Sequence, residues 1–380
     1  MLLIKKYSKN LVLTSIITSI CILNLYGCSE YNNPEQHMSS ETDTTSSATT
    51  YSNGDKYVKE VSENISIDAS VNMPSVDKIP ILNVTKTVFD AEKLKGMILP
   101  NEDLTENINV EEGTYIYRFN NGKNLAIWEG CIHYSNAVRD YAKDIYNMSS
   151  NKSKWTDEDL VFMTKKDATN LAIDYCEKLG IKINEIPISV KSLNYDLLKE
   201  QEMELKKQQD GDFNYYIEKG KIKPKELTKD DELYIMKFNT NIKGINLISK
   251  DITLQTVDRM INGSQIEVSI SKDGVISLDT NSALYTEEST KEEDSEIVSL
   301  DDAVEKVHKI YDGIITKDKI KVTNIALEYA PILKADNNEF ELVPTWVFDM
   351  TISGIDTKSN ESIEHEKSIY INAITGEEII

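Results

Sequence analysis

The chain has 380 residues, a length that suits two or three domains of ordinary size. Its composition, 40% hydrophobic and 28% charged with 15 Gly and 8 Pro, excludes a collagen-like chain, a wholly disordered chain and a polytopic membrane protein. The formal net charge of -22 repels phosphate backbones and argues against nucleic acid as a partner. We interpret the acidity as a solubilising surface, with an acidic patch for cations or a basic partner as the alternative.

A signal peptide is predicted at residues 1–27. Three lysines precede the apolar stretch 11–25, which is too short to span a bilayer comfortably and has the length of a signal-peptide core. The stretch runs into Leu-Tyr-Gly-Cys, which resembles the lipobox of bacterial lipoproteins, although Tyr26 stands where a small residue is usual. The resemblance implies that Cys28 is lipidated and becomes the mature N-terminus. An uncleaved signal anchor is the alternative.

Residues 28–57 are predicted to form a disordered tether. The segment is rich in Ser and Thr and nearly free of large aliphatic residues, so it cannot bury enough surface to fold. By coil statistics its reach is ~30 Å, which lifts the folded part clear of the lipid headgroups. Two or more acyl chains on Cys28, palmitate among them, hold a protein stably. The expected location is therefore the extracytoplasmic face of the cell membrane.

Residues 58–150 are predicted to form an N-terminal α+β unit. Alternating apolar residues at 65–73 indicate a strand, and a short capped helix is expected at 91–95. Two strand-like runs within 115–128 flank an Asn-Gly pair, which favours a tight β-hairpin. Residues 137–146 fit a helix or a strand equally well.

Two helix starts in the rest of the chain share one pattern. Thr164 is followed three residues later by Asp167, and Ser299 is followed at the same spacing by Asp302. This spacing is a variant of the capping box, in which side chains satisfy the free amides of a helix start. An amphipathic helical run follows each cap and stops at a glycine. The sequence therefore predicts two similar capped helices.

We predict that residues 151–285 and 295–380 are two copies of one unit, each a helix followed by an antiparallel sheet of three or four strands. Four separate features recur in the same order in both segments, which argues against a chance alignment. The first copy carries a polar insertion of good helix propensity near 199–230. The acidic run at 287–294, between the copies, is interpreted as a hydrated linker.

The second copy resembles a PepSY-type unit. The resemblance rests on the cap Ser299-Leu-Asp-Asp-Ala303, on Pro344-Thr-Trp346 and on the ending 369–377. The segment also resembles the YycH/YycI regulators, which have a similar sequence. It implies an α+β fold in which tandem helix-plus-antiparallel-sheet modules of the PepSY/YycI type follow the N-terminal α+β unit. It also implies extracytoplasmic, non-enzymatic modules that modulate a peptidase or a sensor kinase by contact. The whole chain resembles a group of uncharacterised clostridial lipoproteins.

The sequence contains no motif for catalysis or for a cofactor: HExxH, GxSxG, a Walker loop and GxGxxG are all missing. Cys131 and Cys176 could form one disulfide or be two buried, small apolar residues. Cys131 and His133 lie two apart on a predicted strand, but two ligands do not make a metal site. Trp346 is expected to anchor the core or its rim, and a binding surface that includes Trp346 and Tyr329 is the alternative.

The leading functional hypothesis is a membrane-anchored, non-enzymatic lipoprotein that binds another extracytoplasmic protein or modulates a sensor or peptidase. Its motivation is the anchor and tether followed by duplicated small folds. The alternative is a lipoprotein that binds a small ligand or solute between the two copies. An apolar pocket with a few convergent polar groups at that place would favour the alternative. An enzyme would need acidic or thiol side chains that only folding brings together.

Overall fold

The computed structural model describes residues 51–380 except 112, 137–139, 151, 209–210, 254–259, 281, 312–317, 335–338, 356–361 and 380. The predicted signal peptide, the lipidation residue Cys28 and the tether as far as residue 50 lie outside the described residues. Within the part that is described, no helix is both long enough and apolar enough to cross a membrane.

The described elements are of mixed type, mostly strands, which confirms the α+β class. The helices are α1 (Ala91–Ile98), α2 (Asp140–Met148), α3 (Lys165–Lys178), α4 (Tyr195–Lys207), α5 (Asp212–Glu218) and α6 (Leu300–Tyr311). The strands are β1 (Lys56–Glu60), β2 (Ile65–Asn72), β3 (Ile81–Lys86), β4 (Leu104–Glu111), β5 (Thr114–Phe119), β6 (Asn124–Trp128), β7 (Cys131–Ser135), β8 (Ser189–Leu193), β9 (Leu233–Asn239), β10 (Asn241–Ile242), β11 (Ile245–Asn246), β12 (Ile252–Thr253), β13 (Met260–Ile261), β14 (Gln265–Ser271), β15 (Gly274–Thr280), β16 (Tyr285–Glu292), β17 (Lys319–Leu333), β18 (Glu339–Ile355) and β19 (Ser362–Asn372).

An eight-stranded sheet has the order β4-β5-β6-β7-β15-β14-β9-β8, and every neighbouring pair in it is antiparallel. Helix α3 covers one face. Its buried residues Ala168, Ala172 and Cys176 are four apart in sequence, so they share the side of the helix that packs on the sheet.

The opposite face of this sheet is covered by α2, α4 and α5. Tyr141, Leu198 and Phe213 from these helices pack with Leu233 and Ile235 of β9. Because both faces are covered, β9 and β14 are buried almost continuously and do not alternate. The insertion predicted near 199–230 therefore contributes to the core.

A seven-stranded sheet has the order β1-β2-β17-β18-β3-β16, with β19 also paired to β18. The pairing of β2 with β17 is parallel, and the others are antiparallel. The long strand β18 pairs with β3 near its start and with β19 from Thr345 onward. Helix α6 covers one face through Ala303, Val304 and Val307, while Ile248 and other aliphatic residues of the 248–261 segment cover the other.

The strands of the predicted N-terminal unit, 58–150, do not form a sheet of their own. Strands β1, β2 and β3 belong to the seven-stranded sheet, whereas β4–β7 belong to the eight-stranded sheet, where β7 pairs with β15. A short hairpin is marginally stable alone, and its exposed edge is satisfied by pairing with longer strands. The described residues from 51 onward accordingly belong to one compact unit.

In each of the two predicted copies, a helix is followed by antiparallel strands. Helix α3 is followed by β8, β9, β14 and β15, which are neighbours in sequence order in their sheet. Helix α6 is followed by β17, β18 and β19, which are also neighbours in sequence order. At the start of each helix the cap hydroxyl accepts a hydrogen bond 3.1 Å long from the backbone N–H three residues on. Thr164 and Ser299 therefore cap their helices as the spacing predicts.

Several local predictions are also confirmed, and one is wrong. Asp90 caps α1, which continues past the predicted end at 95 to Ile98, and the Asn-Gly hairpin joins β5 to β6. The ambiguous stretch at 137–146 contains part of helix α2. The acidic run at 287–294 is not a linker, because most of it forms β16, which pairs with β3 at the sheet edge. Its exposed acidic side chains discourage further edge-to-edge pairing.

Candidate binding cavity where the two sheets meet

The two cysteines of the folded part are both unpaired and buried. Cys131 of β7 packs among residues of β3 and β16, whereas Cys176 of α3 lies in a different cluster with the eight-stranded sheet. The structure therefore has no disulfide between them, and both act as small apolar residues. Burial raises the pKa of both thiols, that of Cys176 to about 12, so neither is activated as a nucleophile.

Trp346 and Tyr329 are both in the core, so the predicted binding surface that includes them is wrong. Trp346 is only 3% exposed, and its Nε1 donates to the Val298 carbonyl at 3.1 Å. The Tyr329 hydroxyl donates to the Pro80 carbonyl at 2.6 Å. Strands β17 and β18 are covered on both faces, and this leaves no outer side for either ring.

His133 lies among charged neighbours. Its Nδ1 contacts Asp279 of the paired strand β15, and the Lys143 Nζ lies 2.7 Å from Asp279 and 3.0 Å from Glu267. Burial by itself would raise the pKa of Asp279, but His133 and Lys143 lower it. Among the residues described, no group of three or more His, Cys, Asp or Glu side chains could hold a metal ion.

A cavity of about 410 Å³ lies where the two sheets meet. Its walls come from four places: the end of β3, the turn after α3, the β10–β11 hairpin and the start of β16. The lining residues are Thr87, Phe89, Gly180, Ile181, Lys182, Thr240, Asn241, Ile242, Lys243, Leu247, Leu284, Tyr285, Thr286 and Glu287. No strand of the eight-stranded sheet lines this cavity. Strand β16 of the seven-stranded sheet lines it with Tyr285, Thr286 and Glu287, and the other walls come from the β10–β11 hairpin and from connecting segments.

Local backbone geometry positions the walls. Gly180 adopts a φ of +77° directly after α3, a conformation that glycine adopts without strain, and turns the chain toward the cavity. The hairpin turn uses φ values of +52° at Lys243 and +80° at Gly244, as a two-residue turn between antiparallel strands requires. The Thr240 hydroxyl donates to Ser264 Oγ at 2.7 Å, and Ile248 N–H donates to the Tyr329 carbonyl at 2.9 Å. The hairpin is thereby fastened to both sheets.

The cavity combines apolar walls with a few polar groups. Phe89, Ile242, Leu247 and Leu284 supply the apolar surface. Lys243 is paired with Glu287 at 2.8 Å, whereas exposed Lys182 has no ion pair within the part of the chain that the structure describes. The site is therefore suited to a small molecule with an apolar body and an anionic group near Lys182.

Tyr285 brings a buried phenol to the cavity wall. Its ring packs edge-on against Phe340 at 5.3 Å, and its hydroxyl is buried without a hydrogen-bond partner among the described residues. Burial raises the pKa of this phenol, so it remains a neutral donor. A buried hydroxyl without a partner is costly, so Tyr285 is a strained part of the wall rather than a shown ligand contact.

A smaller polar cavity, of about 110 Å³, lies between the two predicted copies. Lys250 Nζ lies 3.3 Å from Asp349, and Asn239 Nδ2 lies 3.5 Å from Glu328, so each polar pair joins one copy to the other. Asn239 Oδ1 is buried without a partner in the described structure. Burial, reinforced by Asp349, raises the pKa of Glu328 to about 8, while Lys250 opposes the shift.

The alternative hypothesis put a ligand site between the two copies, where the smaller cavity lies, but sequence analysis named no residue of either cavity, although one signal was present. In β17, Ala326, Glu328 and Ala330 alternate on one side of the strand, and both alanines are buried. A carboxylate on an otherwise small, buried face marks a place where a second element must supply polar partners. No comparable signal marks the larger cavity, because its residues come from four distant segments.

Comparisons with known proteins bear on the fold. No protein-family model matches this chain, and no curated protein matches it. A solved structure that is similar is the crystal structure of an uncharacterized protein from Eubacterium rectale ATCC 33656, with a TM-score of 0.65 and 20% sequence identity. The match covers 85% of this chain and 92% of that chain. The fold is therefore shared over most of both proteins.

Proposed function

We propose that this chain is a lipoprotein held by acylated Cys28 on the extracytoplasmic face of the cell membrane, where it acts by binding without chemistry of its own. Support for the anchor comes from the short apolar stretch that ends in Gly-Cys. Support for tandem PepSY-like modules comes from two capped helices, each followed by antiparallel strands in sequence order.

The observation that carries the binding proposal is the 410 Å³ cavity where the sheets meet. Its volume falls within the range of small-molecule sites, which are concave, mostly apolar and equipped with a few polar groups. Lys182, which is exposed and has no ion pair among the described residues, supplies a positively charged donor to the cavity. The cavity therefore favours a small apolar carboxylate as its ligand. A macromolecule could not enter it.

Titration calorimetry on the full chain in detergent tests this site. The probes are octanoate, phenylacetate and indole-3-acetate, and saturable one-to-one binding of at least one is expected. Lys182→Glu reverses the charge at the rim and should weaken that binding about tenfold, or ~1.4 kcal/mol. Ile242→Trp should block it, because the half-buried Ile242 side chain lines the cavity.

Lys223→Glu is the matched control, because Lys223 is exposed and does not line the cavity. It makes the same charge change and should leave the affinity unaltered. Equal weakening by both lysine variants, or binding that Ile242→Trp does not affect, would show that the carboxylates bind elsewhere. The proposal also fails if none of the three probes binds the wild type.

A regulator that acts by contact with another extracytoplasmic protein is the second candidate function. The observation that favours it is a separate, cationic groove beside an unpaired strand edge. This groove is far more open than the cavity and can admit an extended polypeptide.

A further inference from the structure

Strand β8 is the last strand of the eight-stranded sheet, and only β9 pairs with it. A groove of about 630 Å³ runs beside it. The groove is lined by Trp155, Thr156, Asp157, Lys165, Lys166, Thr169, Asn170, Ile186, Pro187, Ile188, Ser189, Val190 and Lys191. It thus lies between the start of α3 and an open sheet edge.

The backbone of β8 faces this groove at Val190. Ser192 N–H points away from β9 and donates to the Thr156 carbonyl at 2.8 Å. Alternate residues of an antiparallel strand direct their backbone groups to the same side, so the N–H and C=O of Val190 also point outward. The chain before α3 covers the edge at Ser192, and Val190 lines the open part. An extended chain can add to the sheet there.

The same edge carries aliphatic side chains that are unusually exposed. Ile186 is 77% exposed and Ile188 is 48% exposed, and both line the groove with Val190. Ile186 and Ile188 lie just before β8, on either side of Pro187, where a strand added at Val190 would continue past the end of β8. Contiguous exposed aliphatic surface of this kind is typical of an interaction site.

The groove is cationic in a strongly acidic chain. Three lysines line it with one carboxylate, Asp157, which is paired with Lys165 at 2.6 Å. Lys191 Nζ donates to the Trp155 carbonyl, and Lys166 has no ion pair among the residues that are described. The three lysines outnumber the one lining carboxylate by two on a molecule of net charge -22, and Lys191 also interacts electrostatically with Asp157. Such a groove attracts acidic segments and repels basic ones.

We infer that this groove binds an extended, acidic segment of another extracytoplasmic protein, which adds as a strand to β8. Backbone hydrogen bonds at Val190 supply the attachment, Ile186 and Ile188 contact alternate aliphatic side chains, and Lys166 and Lys191 pair with carboxylates. This interaction is independent of the small-molecule cavity, with which the groove shares no lining residue.

Fluorescence anisotropy with the full chain in detergent tests the inference. The probe is a labelled heptapeptide, Glu-Val-Glu-Ile-Glu-Val-Glu, and its counterpart has Lys in place of Glu. The acidic peptide should bind the wild type at least tenfold more tightly than the basic one. The double variant Lys166→Glu/Lys191→Glu should reduce its affinity about tenfold or more, whereas Lys219→Glu/Lys223→Glu, made at exposed lysines outside the groove, should not.

Val190→Pro separates strand addition from simple charge attraction. Proline at position 190 removes the N–H that points outward. It removes no hydrogen bond to β9, so the fold should persist while peptide binding is lost. Unchanged thermal unfolding verifies the fold. The inference is overturned if the acidic and basic peptides bind alike, or if Val190→Pro folds and still binds the peptide. It is also overturned if the wild type sediments as a dimer that the double variant abolishes, because the groove would then join two copies.

Discussion

At the residue scale, Glu328 has a raised pKa and lies between the two predicted copies. It lies half-buried on β17, opposite Asn239 of the other predicted copy and near Asp349 and Lys250. Burial disfavours the charged form and Asp349 adds repulsion, so the pKa rises from 4.5 to about 8. The carboxyl is therefore mainly protonated in the folded chain at neutral pH.

This raised pKa makes stability depend on pH. Between pH 4.5 and about 8 the folded chain retains a proton that the unfolded chain has lost, so the free energy of unfolding falls as pH rises through this window. Glu328→Gln, which stays neutral, should lack this loss. We expect it to be ~1–3 kcal/mol more stable than the wild type at pH 9, a value reduced for partial solvent access, and about equal at pH 4.

Urea unfolding at pH 4, 7 and 9 measures the difference. Glu226→Gln, at an exposed position, is the control and should follow the wild-type profile. If the free energy of unfolding changes with pH in the same way for the wild type and Glu328→Gln, the Glu328 carboxyl is not desolvated in solution.

At the scale of elements, α4 and α5 are the least expected part of the core. They fall between β8 and β9, where the sequence indicates a polar insertion of good helix propensity. Together with α2 they pack on one face of the eight-stranded sheet. Their polar composition is explained by amphipathicity, because Leu198, Leu205 and Phe213 turn inward while most charged residues face water. Glu202 is the buried exception, and it accepts a hydrogen bond from the Tyr141 hydroxyl at 2.7 Å. The insertion is therefore a structural layer.

Phe213→Ala tests whether this layer supports the fold. Phe213 is buried against Tyr141 at a ring separation of 6.2 Å, so its truncation should leave a cavity and lower the free energy of unfolding by ~3–5 kcal/mol. Tyr215→Ala, on the same helix but 51% exposed, should cost less than ~1 kcal/mol. Equal, small effects in chemical denaturation would show that α5 is a dispensable surface element.

At the scale of the whole molecule, the two sheets share their strands across long stretches of chain. Residues 56–86 complete the sheet of the last 80 residues, and residues 104–135 extend the sheet of the middle segment. Folding must therefore bring the N-terminal strands to both partners.

Cys28→Ala is the test of the proposed location on the cell membrane. In cells given a clickable fatty acid, the wild type should become labelled and sediment with membranes, whereas the variant should lose the label because the acceptor thiol is gone. Cys131→Ala, at a buried thiol, is the control and should keep the label. Labelling that persists in Cys28→Ala would end the anchor proposal.

Structural features that depend on residues close together in the chain could be predicted from the sequence. The α+β class, the caps at Asp90, Thr164 and Ser299 and the Asn-Gly hairpin were all predicted and are all observed. Each depends on hydrogen bonds or backbone angles within about four residues, so the local sequence contains the cause.

Only the tertiary structure decided which strand pairs with which. It divided the N-terminal strands between two sheets, made β16 an edge strand, buried Trp346 and Tyr329 and left the cysteines unpaired. These outcomes depend on edges and faces contributed by segments up to hundreds of residues apart, whose closeness no local pattern encodes. For the same reason the cavity and the groove exist only where distant elements meet, and the sequence alone determined neither.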